Sequence, residues 1–233
     1  MTHSTKDHHG GPPTPVVLMW SGGKDAALSL HRLTTAPDYT VRALLTTVVD
    51  ETETVTMHGT PLALVQAQSE ALNLPLHVMR VPPSPSNATY EEALERTLAP
   101  IQAHGVTTVA VGDLYLDDIR SYREALFGRL GMAPLFPLWH ADTTELAERF
   151  LQLGYKAVVT SVDTTQLDGS FAGRTYGPDV LEDMPDEVDP CGEDGAFHTF
   201  VWGGPLFSES VPVSVRETHG EGRMRYARLV PGS

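Results

Sequence analysis

The sequence predicts an α/β protein in which a parallel sheet is covered by helices on both faces and is followed by a smaller C-terminal region. Short, nearly continuous apolar runs alternate with helical patterns from residue 16 to residue 162, which is typical of parallel strands buried on both faces. Beyond Asp163, glycine, proline and acidic residues become frequent, and the later strand patterns have no helices between them. We therefore expect a disordered tail over residues 1–15, a main domain over 16–162 and a C-terminal α+β region over 163–233.

These patterns place the elements in order along the chain. Residues 16–19 form an apolar run, and the helical pattern after it begins at Lys24 and continues to Leu33 without a helix-breaking residue. Residues 39–49 are rich in Val, Leu and Thr, and Pro61 stands where the first turn of a helix tolerates proline. Further strands are predicted over residues 76–81, 106–111, 157–162, 197–202, 211–215 and 223–230. Three further helices are predicted to end near residues 104, 130 and 153. Asn87 or Thr89 caps the helix that ends near 104, and Thr143 or Thr144 caps the helix that ends near 153.

The turn between the first strand and the first helix carries the pattern SGGKDA, from Ser21 to Ala26. Paired glycines let the backbone approach a ligand closely, and the first N–H groups of a helix have no partner within it. Since the helix dipole adds positive potential there, the turn predicts an anion site, most naturally for phosphate. The Walker pattern is absent, because Leu18 stands where its first glycine would be and Asp25 follows the lysine. A glycine-rich turn without a ligand is the alternative.

The composition limits the classes of partner. A formal charge of −14 argues against non-specific binding to nucleic acid or to anionic membranes, since both depend on clustered Lys and Arg. The single cysteine, Cys191, excludes an internal disulfide, and no apolar run is long enough to span a membrane. The residues before Val16 lack the apolar core of a signal peptide. We therefore expect a cytoplasmic protein, with a homodimer as one possible state.

Three further clusters lie where the predicted sheet places loops on its ligand-binding side. They are Met57-His58-Gly59, then Gly112-Asp113 with Arg120 and Arg123 after it, and the segment from Asp189 to Thr199, which includes Glu193 and His198.

With SGGKDA, these clusters resemble the diphthine–ammonia ligase (diphthamide synthetase) family of PP-loop ATP pyrophosphatases, within the adenine nucleotide alpha hydrolase-like superfamily. That family carries the PP-loop, an MHG-like element, a GD segment and a late GE-x-GE-[FY]-x-T motif. The resemblance covers residues 16–207 and departs from the family at Ala26, usually Ser, and Ala196, usually Glu. His198 before Thr199 looks like the branch with EFHT, for which the acceptor is an open question.

The resemblance implies a HUP-type, Rossmann-like fold and an ATP-dependent amide ligase. A substrate carboxylate would attack the α-phosphorus of ATP, pyrophosphate would leave, and ammonia, free or from a separate partner, would displace AMP. The resemblance implies catalytic roles for Lys24, Asp25 and Glu193, and Mg²⁺ binding by Asp25 and Asp113. It implies contacts with ATP from Ser21, Gly22, Gly23, Lys24, Asp25, His58, Gly59, Gly112 and Asp113. Contacts with the acceptor are implied for Arg120, Arg123, Glu193, His198 and Thr199.

Other interpretations remain at this point. A non-catalytic adenine-nucleotide sensor would fit the two alanine departures, whereas tRNA thiolation or lysidine formation would need a basic surface that the charge does not provide. Individual residues also have plainer explanations: Arg120, Arg123 and Glu124 as a solvated helix face, His58 as a turn histidine, and Cys191 as a buried structural thiol.

Overall fold

The computed structural model describes residues 11–232, in which two sheets are built from successive parts of the chain. The first sheet contains β1 (Thr14–Met19), β2 (Tyr39–Val49), β3 (Thr54–Val55), β4 (Leu76–Val81), β5 (Thr108–Ala110) and β6 (Ala133–Leu135). Five of these strands are parallel, in the spatial order β4-β2-β1-β5-β6, while β3 pairs antiparallel with the last residues of β2. The helices are α1 (Lys24–Thr35), α2 (Leu62–Ala71), α3 (Asn87–Ala103), α4 (Asp117–Arg129), α5 (Thr143–Gln152) and α6 (Pro178–Asp183).

Helices cover both faces of this parallel sheet, as the sequence predicts. Successive side chains of a strand point to opposite faces, so Val16 and Leu18 of β1 enter one hydrophobic cluster and Val17 enters another. The first cluster holds Leu30 of α1, and the second holds Leu98 of α3. The α/β fold class is therefore confirmed, and residues 16–18 of β1 lie fully buried at the middle of the sheet.

The second sheet is antiparallel and is organised around β7 (Lys156–Asp163). Its other strands are β8 (Thr175–Tyr176), β9 (Phe197–Gly203), β10 (Val213–Glu221) and β11 (Met224–Pro231). On one edge β7 pairs with β9, and on the other it pairs with β8 and then with β11, which continues to β10.

The structure corrects the placement of the strand predicted at 157–162. The sequence predicts that strand in the parallel sheet, but every strand that pairs with β7 within residues 11–232 runs antiparallel to it. Residues 157–163 are all buried, because packing covers both faces of β7. A strand buried on both faces reads as a continuous apolar run in either kind of sheet, so the sequence pattern could not distinguish the two.

Smaller corrections concern the ends of elements. Ser86 caps α3 by accepting a hydrogen bond from the Thr89 amide, and Asp142 caps α5 by accepting one from the Glu145 amide, so each cap lies before the predicted residues. The first strand begins at Thr14, within the predicted tail, and residues 1–10 of that tail lie outside the described part of the chain. The short β3, β8 and α6 were not predicted. Over residues 11–232, no helix is long and apolar enough to serve as a membrane span.

The two sheets meet along β9. The amide of Val201 in β9 donates to the carbonyl of Gly22, just before α1. The first hydrophobic cluster continues across this junction, since it includes Leu30 of α1 together with Val159 of β7 and Phe200 of β9. The carboxyl end of β1 is therefore enclosed between the parallel sheet and the antiparallel sheet.

Candidate active site

A cleft of about 510 Å³ lies where the two sheets meet, at the carboxyl ends of β1, β2 and β5. This is the side on which open parallel sheets bind their ligands. Ten of the residues predicted for a site line it: Ser21, Lys24, Asp25, His58, Gly112, Asp113, Arg123, Glu193, His198 and Thr199. Gly22, Gly23, Gly59 and Arg120 do not line it.

Gly22 is required by the fold of the glycine loop, which we define as residues 21–25. Its φ of +80° lies in the region that favours glycine, and a Cβ there would come within 2.7 Å of Gln68 Oε1. The Gln68 side chain is itself fixed, because Oε1 accepts from the Trp20 indole at 2.9 Å and Nε2 donates to the carbonyls of Gly22, at 3.0 Å, and Val201, at 2.5 Å. One fully buried glutamine on α2 thus ties the glycine loop to β9.

The amino end of α1 is capped from a distant part of the chain. Gly23 occupies the N-cap position and has no side chain to bond the first turn, but the Thr199 hydroxyl accepts from the Lys24 amide at 3.1 Å. A Cβ on Gly23 would lie 3.0 Å from His58 Cε1 and 3.1 Å from the Thr199 carbonyl oxygen. The absence of a side chain at Gly23 therefore leaves space for β9 and for His58. This role is additional to the predicted one, in which the glycine lets the backbone approach a ligand.

Lys24 is held by its neighbours within the cleft wall. It is 2% exposed, and Nζ donates to Asp25 Oδ2 at 2.9 Å and to the carbonyl of Cys191. Burial alone would lower the pKa of this amine, but the surrounding acidic groups, with Asp25 foremost, together outweigh burial, so the pKa is raised and Lys24 stays protonated. An ammonium group has three donors, so one remains after these two bonds.

The carboxylates predicted to bind a metal differ in how far their oxygens are already used. Asp25 Oδ1 is buried without a hydrogen-bond partner, whereas Asp113 Oδ2 accepts from Arg123 Nε at 2.6 Å. Among residues 11–232, no group of three His, Cys, Asp or Glu side chains is arranged to hold a metal ion. Asp25 is therefore the better-placed of the two carboxylates to receive a cation that arrives with its own oxygen ligands.

Two neutral histidines stack against each other in the cleft. The rings of His58 and His198 lie 4.5 Å apart, and burial lowers the pKa of His58 to about 4 and the pKa of His198 well below its usual value. His58 Nδ1 lies 3.2 Å from the Thr199 carbonyl. Since a carbonyl only accepts, Nδ1 carries the proton and Nε2 presents a lone pair. The cleft therefore offers a hydrogen-bond acceptor here, without a positive charge.

Glu193 joins the C-terminal region to the segment that follows β5. Its Oε1 accepts from the Leu114 amide at 2.8 Å, and burial raises the pKa of its carboxyl to about 7. A carboxyl with a pKa near neutrality can take up and release a proton at physiological pH. Gly112 makes a close contact in the same segment, because a Cβ there would lie 3.2 Å from the Asp25 backbone and from Ser29 Oγ.

Two predicted residues serve other contacts. The Arg120 guanidinium lies 4.6 Å from the Trp139 ring centroid, and its Nε donates to Glu124 at 2.7 Å, so it belongs to a surface cluster outside the cleft. Gly59 packs against Tyr226 of β11, where a Cβ would lie 2.8 Å from the ring. Arg120 is thus half-buried against two aromatic rings and a carboxylate of its own helix.

Cys191 fits its plainer explanation. Its thiol is buried and donates to the Thr143 carbonyl at 3.3 Å, and burial raises the pKa of the thiol. A thiol with a raised pKa is a poor nucleophile. What Cys191 contributes to the cleft is its backbone carbonyl, which accepts from Lys24.

Sequence reasoning missed Gln68 and the second use of Thr199. The only local signal for Gln68 is an amide among the apolar positions of the α2 pattern, and that signal does not identify its partners. Both residues act through contacts with segments more than forty positions away in the chain.

Comparisons with known proteins place these features in a family. The family model described as the diphthamide synthase N-terminal domain matches residues 14–134, and that of the diphthamide synthase C-terminal domain matches residues 142–228. A Danio rerio protein named diphthine–ammonia ligase is 25% identical over 224 residues, which cover 87% of this chain and 88% of that protein. A Schizosaccharomyces pombe protein of the same name is 23% identical over 92% of this chain and 39% of its own length. A Rattus norvegicus protein of that name is 31% identical over 47% of this chain and 43% of its own length.

Proposed function

The chain belongs to the diphthamide synthase family, and from that membership we propose that it is an ATP-dependent ligase that adenylates a carboxylate and then transfers ammonia to it. The observation that carries the proposal is the buried, protonated Lys24 at the amino end of α1, in the wall of a cleft that Glu193 also lines. A fixed cation at a helix N-terminus stabilises the charge that develops on phosphates as pyrophosphate leaves.

We propose that the polyphosphate of ATP lies along the glycine loop. Lys24 has one donor left to offer it, and the hydroxyls of Ser21 and Thr199 now accept from the amides of Gly23 and Lys24. Ionised phosphate oxygens accept stronger hydrogen bonds than hydroxyl oxygens do, so they would compete for these two amides. Ala26 lines the cleft without a hydroxyl, so this chain has one phosphate donor fewer than the usual motif.

We propose that Mg²⁺ accompanies the nucleotide and is held by Asp25. Its unpartnered Oδ1 is the kind of hard oxygen ligand that this ion prefers, and phosphates and water would complete the shell. Asp113 would add a ligand through the oxygen that does not bond Arg123. When bound, the ion would neutralise charge on the phosphates.

Glu193 is the proposed acid–base residue for the second half-reaction. Its pKa of about 7 allows it to take a proton from ammonium or from the attacking amine near neutral pH. His58 and His198 are held neutral by burial and therefore serve as hydrogen-bonding groups that do not repel a cationic nitrogen. The proposed co-substrates are free ammonia and an acid still to be identified, in a cytoplasmic setting.

The test is AMP formation. The protein is incubated with ATP, Mg²⁺, ammonium chloride and a panel of carboxylic acids, and AMP and pyrophosphate are measured by chromatography. We expect AMP only when an acid and ammonium are both present, and we expect Lys24→Ala to lower its rate at least a hundredfold. Lys156→Ala is the control, because Lys156 lies over Trp202, away from the cleft, and should leave the rate unchanged.

A non-catalytic nucleotide sensor is the alternative, and the ligase names of the relatives do not favour it. Tight ATP binding with no AMP from any acid, including a peptide that carries diphthine, would support the sensor and contradict the ligase proposal.

A further inference from the structure

A second hollow of about 330 Å³ lies behind the cleft, on the side of the antiparallel sheet. Met57 and His198 line both the hollow and the cleft, so they form the partition between them. The far side of the hollow is formed by Asp163 of β7, by Met224 and Tyr226 of β11, and by Asp194. The proposed function places its ligands in the cleft and assigns none to this hollow.

The charged groups around the hollow are two carboxylates and one guanidinium, Arg223. Asp163 is buried and accepts from Thr165 and Gln166, and its Oδ2 lies 3.1 Å from Arg223 Nε, so its oxygens are already used. These hydrogen bonds, with that from the Thr165 side chain foremost, lower the pKa of Asp163 and keep it ionised. Asp163 therefore contributes negative potential to the hollow, although it has little capacity for a direct contact.

Asp194 is the carboxylate with room for a ligand. It is exposed, and one oxygen accepts from the Tyr115 hydroxyl at 3.1 Å. In the described part of the chain, its second carboxylate oxygen accepts no hydrogen bond. Since Arg223 is committed to Asp163, the carboxylate of Asp194 is left to attract a positive charge.

The remaining lining suits a positive charge that carries carbon. Met57, Met224 and Tyr226 supply thioether and aromatic surface, which favours ammonium and alkylammonium groups over strongly hydrated metal ions. The imidazole of His198 faces the hollow from the partition, and burial keeps it neutral. Within residues 11–232 the ring makes no hydrogen bond, so its acceptor nitrogen is available to an N–H donor.

We propose that this hollow binds a cationic nitrogen and presents it to the cleft across Met57 and His198. Two sources share that chemistry: the ammonium co-substrate, or an alkylammonium group on the acid that is to be amidated. The volume accommodates either an ammonium ion with its water or an alkylammonium group with the chain that bears it. The role in catalysis rests on the proposed ligase function, but the binding of the cation does not.

The experiment uses crystals of the whole chain soaked in thallium(I) acetate, because thallium(I) matches ammonium in charge and size and is located by anomalous scattering. We expect a peak between Asp194 and His198 that ammonium chloride displaces. The variant Asp194→Asn keeps the shape of the side chain and should lose the peak, while the control Asp186→Asn, at an exposed carboxylate outside the hollow, should keep it. The proposal is overturned if the thallium peak persists in Asp194→Asn. It is also overturned if neither thallium(I) nor tetramethylammonium binds in the hollow of the parent protein.

Tetramethylammonium separates the two sources. If the hollow takes ammonium, thallium(I) binds and tetramethylammonium does not, and in the AMP assay Asp194→Asn raises the KM for ammonium at least tenfold while the Kd for ATP is unchanged. If the hollow takes the cationic group of the acid, tetramethylammonium binds there and the same variant raises the KM for the acid instead. Since the crystal result does not depend on turnover, an inactive protein that binds the cation would contradict the ligase function alone.

Discussion

At the scale of single residues, Gly22 shows how the glycine loop depends on Gln68. Gly22 and Gly105 have nearly the same φ, +80° and +81°, but a Cβ on Gly105 would meet nothing within 4 Å. We expect Gly105→Ala to lower the free energy of unfolding by about 1 kcal/mol, the cost of the backbone conformation alone. Gly22→Ala should lower it by about 2 kcal/mol more, because Gln68 Oε1 cannot move away without breaking its bond to Trp20.

The measurement is urea unfolding of the two alanine variants and the parent protein. Equal losses in the two variants would mean that Gln68 adapts freely, and the argument that it fixes the loop would then be wrong.

Glu193 predicts a pH dependence whose sign can be worked out. Its pKa is about 7 in the folded protein, above the ordinary value of 4.5, so between these two pH values the folded state binds more protons than the unfolded state. The contribution of Glu193 to stability therefore falls as the pH rises through this window and is constant above it. Glu193→Gln removes this contribution while keeping an acceptor for the Leu114 amide.

We expect Glu193→Gln to gain stability relative to the parent protein as the pH rises from 5 to 8, measured by urea unfolding at each pH. The quantity to compare is the difference in free energy of unfolding between the variant and the parent at each pH. His58, with its lowered pKa, makes both proteins more stable as the pH rises, so its effect cancels in this difference. Glu148→Gln, at an exposed position of α5, is the control and should follow the parent at every pH. A constant difference for Glu193→Gln would contradict the raised pKa.

At the scale of elements, α1 depends on β9 for its cap. Thr199 Oγ1 accepts from the Lys24 amide, and Gly23 cannot replace that bond because it has no side chain. We expect Thr199→Val, which keeps the shape of the side chain, to lower the free energy of unfolding by about 1 kcal/mol. Thr199→Ser keeps the hydroxyl and should keep most of this stability.

Thermal unfolding followed by circular dichroism tests the cap, and the Kd for ATP tests its effect on the cleft. If Thr199→Val and Thr199→Ser were equally stable, the hydroxyl would not be contributing to the helix.

β7 shows the limit of pattern reading at the same scale. The apolar run correctly predicts a strand, but it does not indicate which of the two sheets the strand joins. That choice depends on β9 and β11, which lie tens of residues later and pair with opposite edges of β7. The predicted division of the chain between residues 162 and 163 stays a prediction.

At the scale of the whole molecule, one hydrophobic cluster extends through both sheets. It contains Leu30 of α1 and Leu229 of β11, each about 2% exposed or less. Because unfolding of either sheet would expose this shared core to water, we expect a single cooperative unfolding transition with equal calorimetric and van't Hoff enthalpies. Leu30→Ala and Leu229→Ala should each cost about 2–5 kcal/mol and lower the one transition as a whole.

Differential scanning calorimetry decides this point. Two resolved transitions, or a substitution that moves only part of the unfolding curve, would show that the two sheets unfold independently.

The sequence by itself determined what depends on neighbours along the chain. The α/β class, the bounds of β2 and β4, the helix that begins at Lys24 and the glycine-rich turn before it all follow from side-chain period and turn chemistry within short windows. The separated motifs also indicated the family, because their order survives in the sequence without any knowledge of the fold.

Only the tertiary structure decided which distant residues meet. It placed β7 in the antiparallel sheet, brought Thr199 to the end of α1 across 175 residues, and kept Arg120 outside the cleft. It also revealed that Gln68 holds the glycine loop. The physical reason is that such contacts depend on how whole elements pack, and that packing minimises exposed apolar surface and unpaired polar groups over the entire molecule, which no local pattern records.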